Sequence, residues 1–167
     1  IGEQGHERLL NAHVLIVGMG GLGCPVSLYL AAAGIGRISI CDGDRVDQSN
    51  LQRQVLYTAE DCGKPKVECA RQRLLALNPD TDITAYAEKL SPQVLASGYD
   101  LVVDCTDNLA ARQQLNAHCY QRKLPFVSAS ALGWEGQIMA FDFVHNSSLC
   151  LNCIINKDSA EPIMNCG

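Results

Sequence analysis

The sequence predicts an α/β fold of the Rossmann-like type, with a mainly parallel sheet and helices on both faces. Three observations predict it. Short apolar runs that suit buried strands alternate along the chain with longer segments of helical spacing. The first apolar run, His13 to Val17, leads directly into the glycine-rich loop Gly18 to Gly23. That loop opens an Ala/Leu-rich segment, the order of elements found in doubly wound sheets.

The individual elements follow from their local patterns. A continuous apolar run predicts a strand buried on both faces, whereas apolar residues three or four apart predict a helix. Strands are expected at residues 13–17, 37–41, 83–86, 100–105, 125–129 and 137–143. Helices are expected at residues 25–33, 66–78, 92–97 and 108–123. The last strand alternates enough to be partly exposed, and we expect the sheet to end in a truncated antiparallel extension. Residues from 144 onward are expected to be irregular.

Composition narrows the classes of function. With 167 residues and 47% hydrophobic content, the chain suits one compact domain. Its formal net charge of −5 disfavours nucleic-acid and membrane-surface partners, which are themselves anionic. No apolar stretch approaches the roughly 20 residues of a membrane helix. The nine cysteines are odd in number and follow no signal peptide, so we expect a reducing, cytoplasmic compartment.

The carboxyl ends of the predicted strands should form one rim, where parallel sheets bind ligands. That rim would bring together Gly18–Gly23, Asp42, Asp104–Asn108 and Ser128–Ser130. The glycines allow a phosphate to approach the helix N-terminus, and Asp42 could accept hydrogen bonds from ribose hydroxyls. The loop glycines in question are Gly18, Gly20, Gly21 and Gly23. These features predict an adenine nucleotide, and they leave NAD, FAD, S-adenosylmethionine and ATP open.

Charged residues near this rim favour ATP. Arg53 and Lys66 could hold the β- and γ-phosphates, and Asn50 could hydrogen-bond a phosphate oxygen or the backbone. Asp107 is the carboxylate best placed for Mg²⁺. The alternative is that Arg53 and Lys66 are solvated surface charges and that Asp107 caps a helix. Asp104 and Asn108 are further candidates for capping the helix that follows.

The whole set of motifs resembles the ThiF/MoeB/HesA family, the bacterial relatives of ubiquitin-activating enzymes. The motifs are Gly-x-Gly-Gly-x-Gly, Ser49–Gln54, Pro65-Lys66 and Asp104–Asn108, in this order. The resemblance implies a single ATP-binding adenylation domain over residues 1–167, lacking N- and C-terminal parts of the full family domain. It implies that the residues matching Asp42, Asn50, Arg53, Lys66 and Asp107 surround ATP and Mg²⁺.

The reaction that the resemblance implies is adenylation of the C-terminal Gly-Gly carboxylate of a ubiquitin-like sulfur carrier, with release of pyrophosphate. Ser128–Ala131 and Asn165-Cys166 favour the thiamin branch, with a ThiS-like carrier. The alternative is MoeB-type activation of a MoaD-like carrier in molybdopterin biosynthesis. A homodimer and a sulfur donor such as a cysteine desulfurase are implied as partners.

The cysteines near the end divide into two groups. Cys150 and Cys153 have the spacing of half a four-cysteine zinc site, and the alternative is two unrelated thiols. The resemblance favours the zinc site, with its second cysteine pair nearer the C-terminus, so we expect Zn²⁺ in the full-length protein. Cys166 matches the family cysteine that takes part in sulfur transfer, and its alternative is an inert thiol. The remaining six cysteines are interpreted as packing residues.

Two alternative functions of a different kind remain, an oxidoreductase and a non-catalytic binding module. A nicotinamide-dependent oxidoreductase fits the glycine loop and Asp42 equally well, but it gives no task to Arg53, Lys66 or Asp107. A non-catalytic module that binds a ubiquitin-like protein would not need these residues either.

Overall fold

The computed structural model describes residues 1–145 and 149–154, and a six-stranded sheet forms their centre. The strands are β1 (His13–Val17), β2 (Arg37–Cys41), β3 (Asp82–Tyr86), β4 (Leu101–Asp104), β5 (Phe126–Leu132) and β6 (Glu135–Phe141). Their spatial order is β3-β2-β1-β4-β5-β6. The first five strands pair in parallel, and β6 pairs antiparallel to β5. The predicted α/β fold is therefore confirmed.

Six helices accompany the sheet within residues 1–145 and 149–154. They are α1 (Gly2–Asn11), α2 (Gly23–Ala32), α3 (Lys66–Leu77), α4 (Pro92–Leu95), α5 (Leu109–Arg122) and α6 (Leu151–Ile154). Between β2 and α3, the chain makes two short 3₁₀ turns, at Gln48–Asn50 and Ala59–Asp61. No helix in residues 1–145 or 149–154 combines the length and apolarity that a bilayer crossing needs.

The side chains of β1 show why helices cover both faces. Val14 and Ile16 enter one apolar core, and Leu15 and Val17 enter a second core on the opposite face. The first core includes residues of α2 and α3, and the second includes residues of α5 and α6. A central parallel strand buried on both faces has no polar alternation, which is why β1 reads as a continuous apolar run.

Three expectations about the elements need correction. Residues 2–11, for which no element was expected, form α1, and none of its side chains is buried. The last strand lies two residues earlier than predicted, because β5 and β6 continue past the core as an exposed hairpin around Gly133-Trp134. Residues 151–154 are helical rather than irregular.

Candidate active site

A cavity of about 650 Å³ opens where β1, β2 and β4 end, at the predicted rim. Its lining residues come from seven separate segments of the chain. Those that carry the argument are Gly18, Gly20, Gly21, Asp42, Asp44, Arg53, Gln54, Lys66, Thr106, Asp107, Arg112 and Ser130. The fold thus brings together Asp42, Arg53, Lys66 and Asp107, as the sequence predicts.

The four loop glycines have two different reasons to lack a side chain. Gly18 has a φ of +92°, and a Cβ there would lie 2.6 Å from the carbonyl oxygen of Cys105. A Cβ at Gly23 would lie 1.8 Å from the carbonyl oxygen of Gly18. At Gly20 and Gly21, by contrast, a Cβ would meet its nearest atoms at 3.7 and 3.6 Å, which are ordinary contacts. Gly18 and Gly23 are therefore required by the turn, whereas Gly20 and Gly21 leave open space in the cavity.

The Asp42 carboxylate holds the glycine loop and can also bind a ligand. Its Oδ2 accepts a hydrogen bond from the backbone N–H of Met19 at 2.7 Å, and its Oδ1 accepts one from Asp44 at 2.8 Å. The first bond ties the end of β2 to the glycine loop. Because each carboxylate oxygen has a second lone pair, Asp42 can still accept hydrogen bonds from a ligand in the cavity.

Lys66 is 95% buried, since only 5% of its surface is exposed. Its Nζ lies 3.1 Å from Oδ2 of Asp44, whose side chain is largely exposed. A buried ammonium is costly unless it is paired, and Asp44 supplies that pairing at the cavity wall. The interpretation of Lys66 as a solvated surface charge is therefore wrong.

Arg53 reaches the same wall with help from Asn50. The Arg53 guanidinium donates to Oδ1 of Asn50 at 2.8 Å, and the Asn50 carbonyl accepts from the backbone N–H groups of Arg53 and Gln54. Asn50 itself does not line the cavity. The structure thus places Asn50 behind Arg53, where it orients the guanidinium.

Asp104 is fully buried and accepts four hydrogen bonds from three residues. Its Oδ2 accepts from Nε of Arg112 at 2.8 Å and from the Ser128 hydroxyl at 2.6 Å. Its Oδ1 accepts from the backbone N–H and hydroxyl of Thr106 at 3.0 and 2.6 Å. Arg112 also donates to the carbonyl oxygens of Thr106 and Ala129. Asp104 therefore fixes the loop after β4 and does not cap α5.

Asp107 stands on that fixed loop and is exposed at the cavity. The neighbouring Asn108 is the N-cap of α5, because its Oδ1 accepts from the backbone N–H of Ala111 at 3.1 Å. Asp107 makes no hydrogen bond or ion pair with the residues that the structure describes. Its carboxylate is available for a ligand or a cation, so helix capping is not its role.

Two cysteines line the cavity and are poor nucleophiles. Burial raises the pKa of the Cys41 thiol to about 12, with the Asp42 carboxylate adding to the effect. Burial, followed by the charge of Asp104, raises the pKa of Cys105 to about 12. Both stay protonated near neutral pH. Of the six cysteines interpreted as packing residues, five are buried, but Cys62 is exposed and that interpretation is wrong for it.

The pair Cys150 and Cys153 lies away from the cavity, with the sulfur atoms 3.5 Å apart. Two thiolates on one tetrahedral zinc ion lie about 3.8 Å apart, given Zn–S bonds of about 2.3 Å. Burial alone would raise the pKa of Cys150, but hydrogen bonds from Asn116 and Cys153 outweigh it and lower that pKa. Within residues 1–145 and 149–154, no third His, Cys, Asp or Glu completes a metal cluster. Cys166 lies outside the described residues.

Some cavity residues were not predicted as site residues. Gln54 belongs to the Ser49–Gln54 motif, and Asp44 and Arg112 lie two and four residues from predicted positions. Two sequence features could have identified them: the carboxylate of Asp44 lies two residues after Asp42, and the cation of Arg112 lies one helical turn after Asn108. The segment Glu88–Leu90, which closes the cavity beyond β3, gave no such signal.

A family model described as the ThiF family matches residues 1–167. The chain belongs to the ThiF family. It is 44% identical over 169 aligned residues to the sulfur carrier protein ThiS adenylyltransferase of Escherichia coli K12, covering 99% of this chain and 66% of that protein. It is 45% identical to the molybdopterin-synthase adenylyltransferase of Salmonella typhimurium LT2, covering 90% of this chain and 61% of that protein. The chain thus spans less than two thirds of the length of these relatives.

Two solved structures share this fold. The E. coli tRNA N6-threonylcarbamoyladenosine dehydratase TcdA, in complex with ATP, matches with a TM-score of 0.76 and 30% identity, covering 80% of this chain and 57% of that one. E. coli MccB with AMPCPP and MccA matches with a TM-score of 0.76 and 30% identity, covering 81% of this chain and 42% of that one.

Proposed function

We propose that the protein containing this chain adenylates the C-terminal Gly-Gly carboxylate of a ubiquitin-like sulfur carrier and releases pyrophosphate. The observation that carries the proposal is that Arg53, the buried Lys66 and Asp107, which has no partner among the described residues, line one cavity together with Gly20 and Gly21. This charge pattern suits a triphosphate with a divalent cation. The names of the two curated relatives, both adenylyltransferases, support the same reaction.

ATP would lie with its phosphates over Gly20 and Gly21, where a missing Cβ allows close approach. Asp42 would accept hydrogen bonds from the ribose hydroxyls. Arg53 and Lys66 would bind the phosphates and stabilise the charge that develops on departing pyrophosphate. Lys66 would then exchange its exposed partner Asp44 for a phosphate oxygen.

The reaction needs no general base. A terminal carboxylate has a pKa of about 3.5 and is already an anion at neutral pH. One carboxylate oxygen forms a bond to the α-phosphorus, while the bond from the α-phosphorus to the bridging oxygen breaks and its electrons leave with pyrophosphate. The protein must hold two anions together, so cationic side chains and orientation account for most of the catalysis.

Asp107 is the residue that would hold Mg²⁺, because its carboxylate is exposed to the cavity and unpaired among the described residues. The ion would neutralise phosphate charge when bound. Asp104 and Arg112 contribute by holding the loop on which Asp107 stands.

The finer parts of the proposal concern the carrier and the remaining partners. We favour a ThiS-like carrier over a MoaD-like one, on Ser128–Ala131 and Asn165-Cys166. Cys150 and Cys153 would supply two of four zinc ligands in the full-length protein. Cys166 would take part in sulfur transfer from a donor such as a cysteine desulfurase. A homodimer and a cytoplasmic location complete the proposal, and the free thiols of the described cysteines fit a reducing compartment.

The test is ATP–pyrophosphate exchange by the full-length protein, with a ThiS-like or a MoaD-like carrier added. We expect exchange that depends on one carrier and falls by about 10²- to 10³-fold in Lys66→Ala, the loss seen when one charge-stabilising donor is removed. Lys64→Ala is the matched control, because Lys64 is exposed and pairs with Asp61 outside the cavity.

Three outcomes would overturn parts of this proposal. No exchange with either carrier, despite binding of Mg-ATP, would favour the non-catalytic binding module. Tight binding of NAD instead of ATP would favour the oxidoreductase. Carrier-dependent exchange at the wild-type rate in Lys66→Ala would show that Lys66 has no role in the reaction.

A further inference from the structure

Arg112 is a largely buried cation that uses only part of its hydrogen-bonding capacity within the protein. A guanidinium carries five N–H donors in one plane. The Nε–H of Arg112 donates to Oδ2 of Asp104 at 2.8 Å, and its Nη2 donates to the carbonyl oxygens of Thr106 and Ala129. The N–H groups of Nη1 make no hydrogen bond with the residues that the structure describes. These donors are therefore left for a ligand.

The Nη1 donors lie at the surface of the cavity. Arg112 lines the cavity, and 11% of its side chain is exposed. Nη1 is not one of the described buried atoms that lack a partner, so a ligand can reach it. The fully buried Asp104 carboxylate holds the guanidinium in place. Because a planar guanidinium fixed in this way is preorganised, little freedom is lost when Nη1 binds an acceptor.

The position of Arg112 separates it from the cations that we assign to the phosphates. Arg53 and Lys66 lie in the turn after β2 and at the start of α3, whereas Arg112 lies on α5 and contacts the end of β5. Asp104 already supplies the counter-charge of Arg112, so this side chain adds little to the charge that a triphosphate needs. The proposed reaction brings a second anion, the carrier's carboxylate, beside the phosphates, and that anion needs a donor of its own.

We propose that Arg112 binds the terminal carboxylate of the carrier, with Nη1 donating a hydrogen bond to one carboxylate oxygen. The other oxygen is then free to attack the α-phosphorus. This inference rests on the proposed function and assigns a residue to the carrier, whereas the sequence motifs assign residues to ATP and Mg²⁺. A carboxylate held in this way has lost its orientational freedom before it reacts.

The test measures how the full-length protein binds two forms of a ThiS-like carrier, one with its natural C-terminal carboxylate and one with a C-terminal amide. Calorimetry is run with Mg²⁺ and an ATP analogue whose α,β-bridge cannot be cleaved, so that no acyl-adenylate forms. The amide keeps the shape of the tail but removes the charge that Arg112 would bind. A MoaD-like carrier replaces the ThiS-like one if it is the carrier that supports pyrophosphate exchange.

Two variants, Arg112→Gln and Arg112→Lys, are compared with the control Arg122→Gln. Arg122 is exposed in the last turn of the same helix and does not line the cavity. Arg112→Lys keeps a counter-charge for the buried Asp104, which guards against a variant that fails to fold, but it lacks Nη1.

We expect both Arg112 variants to shift the ratio of carboxylate-carrier to amide-carrier affinity towards the amide by about 10- to 100-fold, the range for a hydrogen bond to a charged group. Affinity for the amide carrier and for the ATP analogue should stay at the wild-type level. Arg122→Gln should match the wild type in every measurement.

Four results would overturn the assignment of Arg112. An equal loss for both carriers would show that Arg112 only holds the wall in shape, and an unchanged ratio would show that Nη1 does not reach the carboxylate. A ratio that shifts in Arg112→Gln but not in Arg112→Lys would assign the effect to charge instead of Nη1. A loss for the ATP analogue alone would place the contact on the nucleotide.

Failure of the proposed function gives a different result. If the assignment of Arg112 fails alone, the wild type still exchanges pyrophosphate in the presence of a carrier. Wild-type protein that neither binds a carrier nor exchanges pyrophosphate would overturn the proposed function, and the role of Arg112 with it.

Discussion

The two walls of the cavity differ in how completely their polar groups satisfy one another. Thr106 and Arg112 line the closed wall, and behind it the buried Asp104 carboxylate accepts four hydrogen bonds from Thr106, Arg112 and Ser128. On the open wall, formed by Gly20, Gly21, Gln54 and Lys66, two positions lack side chains and the buried Oε1 of Gln54 has no partner in the part of the chain that the structure describes. The comparison teaches that the closed wall mainly fixes the shape of the site, whereas the open wall mainly keeps capacity for a ligand.

Removal of Asp104 should have the largest effect. Asp104→Ala leaves the largely buried Arg112 guanidinium without its counter-charge, and breaking a buried pair in this way costs about 3–5 kcal/mol. Urea unfolding should show that loss in the free energy of unfolding. The double variant Asp104→Leu/Arg112→Leu should lose less than Asp104→Ala, since no charge is left unpaired. If Asp104→Ala unfolds like the wild type, the closed wall does not stabilise the fold.

The contrast between the walls also shows what the sequence can predict. Strands β1 and β2 were predicted with their observed bounds: residues 14–17 of β1 are an uninterrupted apolar run, and the apolar Ile38, Ile40 and Cys41 of β2 lie between the glycines that end α2 and the polar Asp42. Helix α1 was missed, since none of its residues is buried and its apolar face is short. The glycine loop, Asp42 and Lys66 were predicted because local motifs carry them. The sequence also predicted that Asp104 and Ser128 lie on the same rim, but it did not predict the hydrogen bond between them, because the two residues are 24 positions apart and side-chain pairing depends on the packed fold.

The two kinds of loop glycine should respond differently to the same substitution. Gly18→Ala places a side chain at a φ of +92° and 2.6 Å from a backbone oxygen, so it should cost roughly 2–4 kcal/mol in unfolding free energy. Gly20→Ala makes only an ordinary contact and should change that free energy by less than about 0.5 kcal/mol.

Gly20→Ala, which should hardly change stability, should nevertheless weaken the binding of Mg-ATP. A methyl group at Gly20 would obstruct a phosphate, and such overpacking corresponds to about a 10- to 100-fold loss of affinity for Mg-ATP. Chemical unfolding and calorimetry on the two variants check both halves of the prediction. A Gly20→Ala protein that binds Mg-ATP normally would show that no ligand approaches this glycine closely.

A smaller, pH-dependent effect concerns the segment that carries the open wall. Asp61 caps the second 3₁₀ turn and binds Arg73 of α3, with Oδ2 3.1 Å from the guanidinium nitrogen. Burial would raise its pKa, but hydrogen bonds from Thr58, Arg73 and Lys64 outweigh it and lower the pKa from 3.8 to about 2. Because the folded-state pKa is the lower one, the stabilisation is present above pH 3.8 and is lost as the pH falls towards 2.

Asp61→Asn should therefore be less stable than the wild type at neutral pH, and the difference should shrink on acidification. Urea midpoints at several pH values between 7 and 2 give this difference. Asp80→Asn, which changes an exposed carboxylate, is the control and should run parallel to the wild type. A constant gap between Asp61→Asn and the wild type down to pH 2 would show that the Asp61 charge does not anchor the segment.

The most direct test of the central claim, that the open wall binds the phosphates of ATP, is the calorimetric affinity for Mg-ATP and NAD in the wild type and in Lys66→Ala. We expect the wild type to bind Mg-ATP at least about tenfold more tightly than NAD, and Lys66→Ala to lose about 10- to 100-fold in Mg-ATP affinity, the range for a hydrogen bond to a charged group. Equal or tighter binding of NAD, or an unchanged affinity for Mg-ATP in Lys66→Ala, would contradict it.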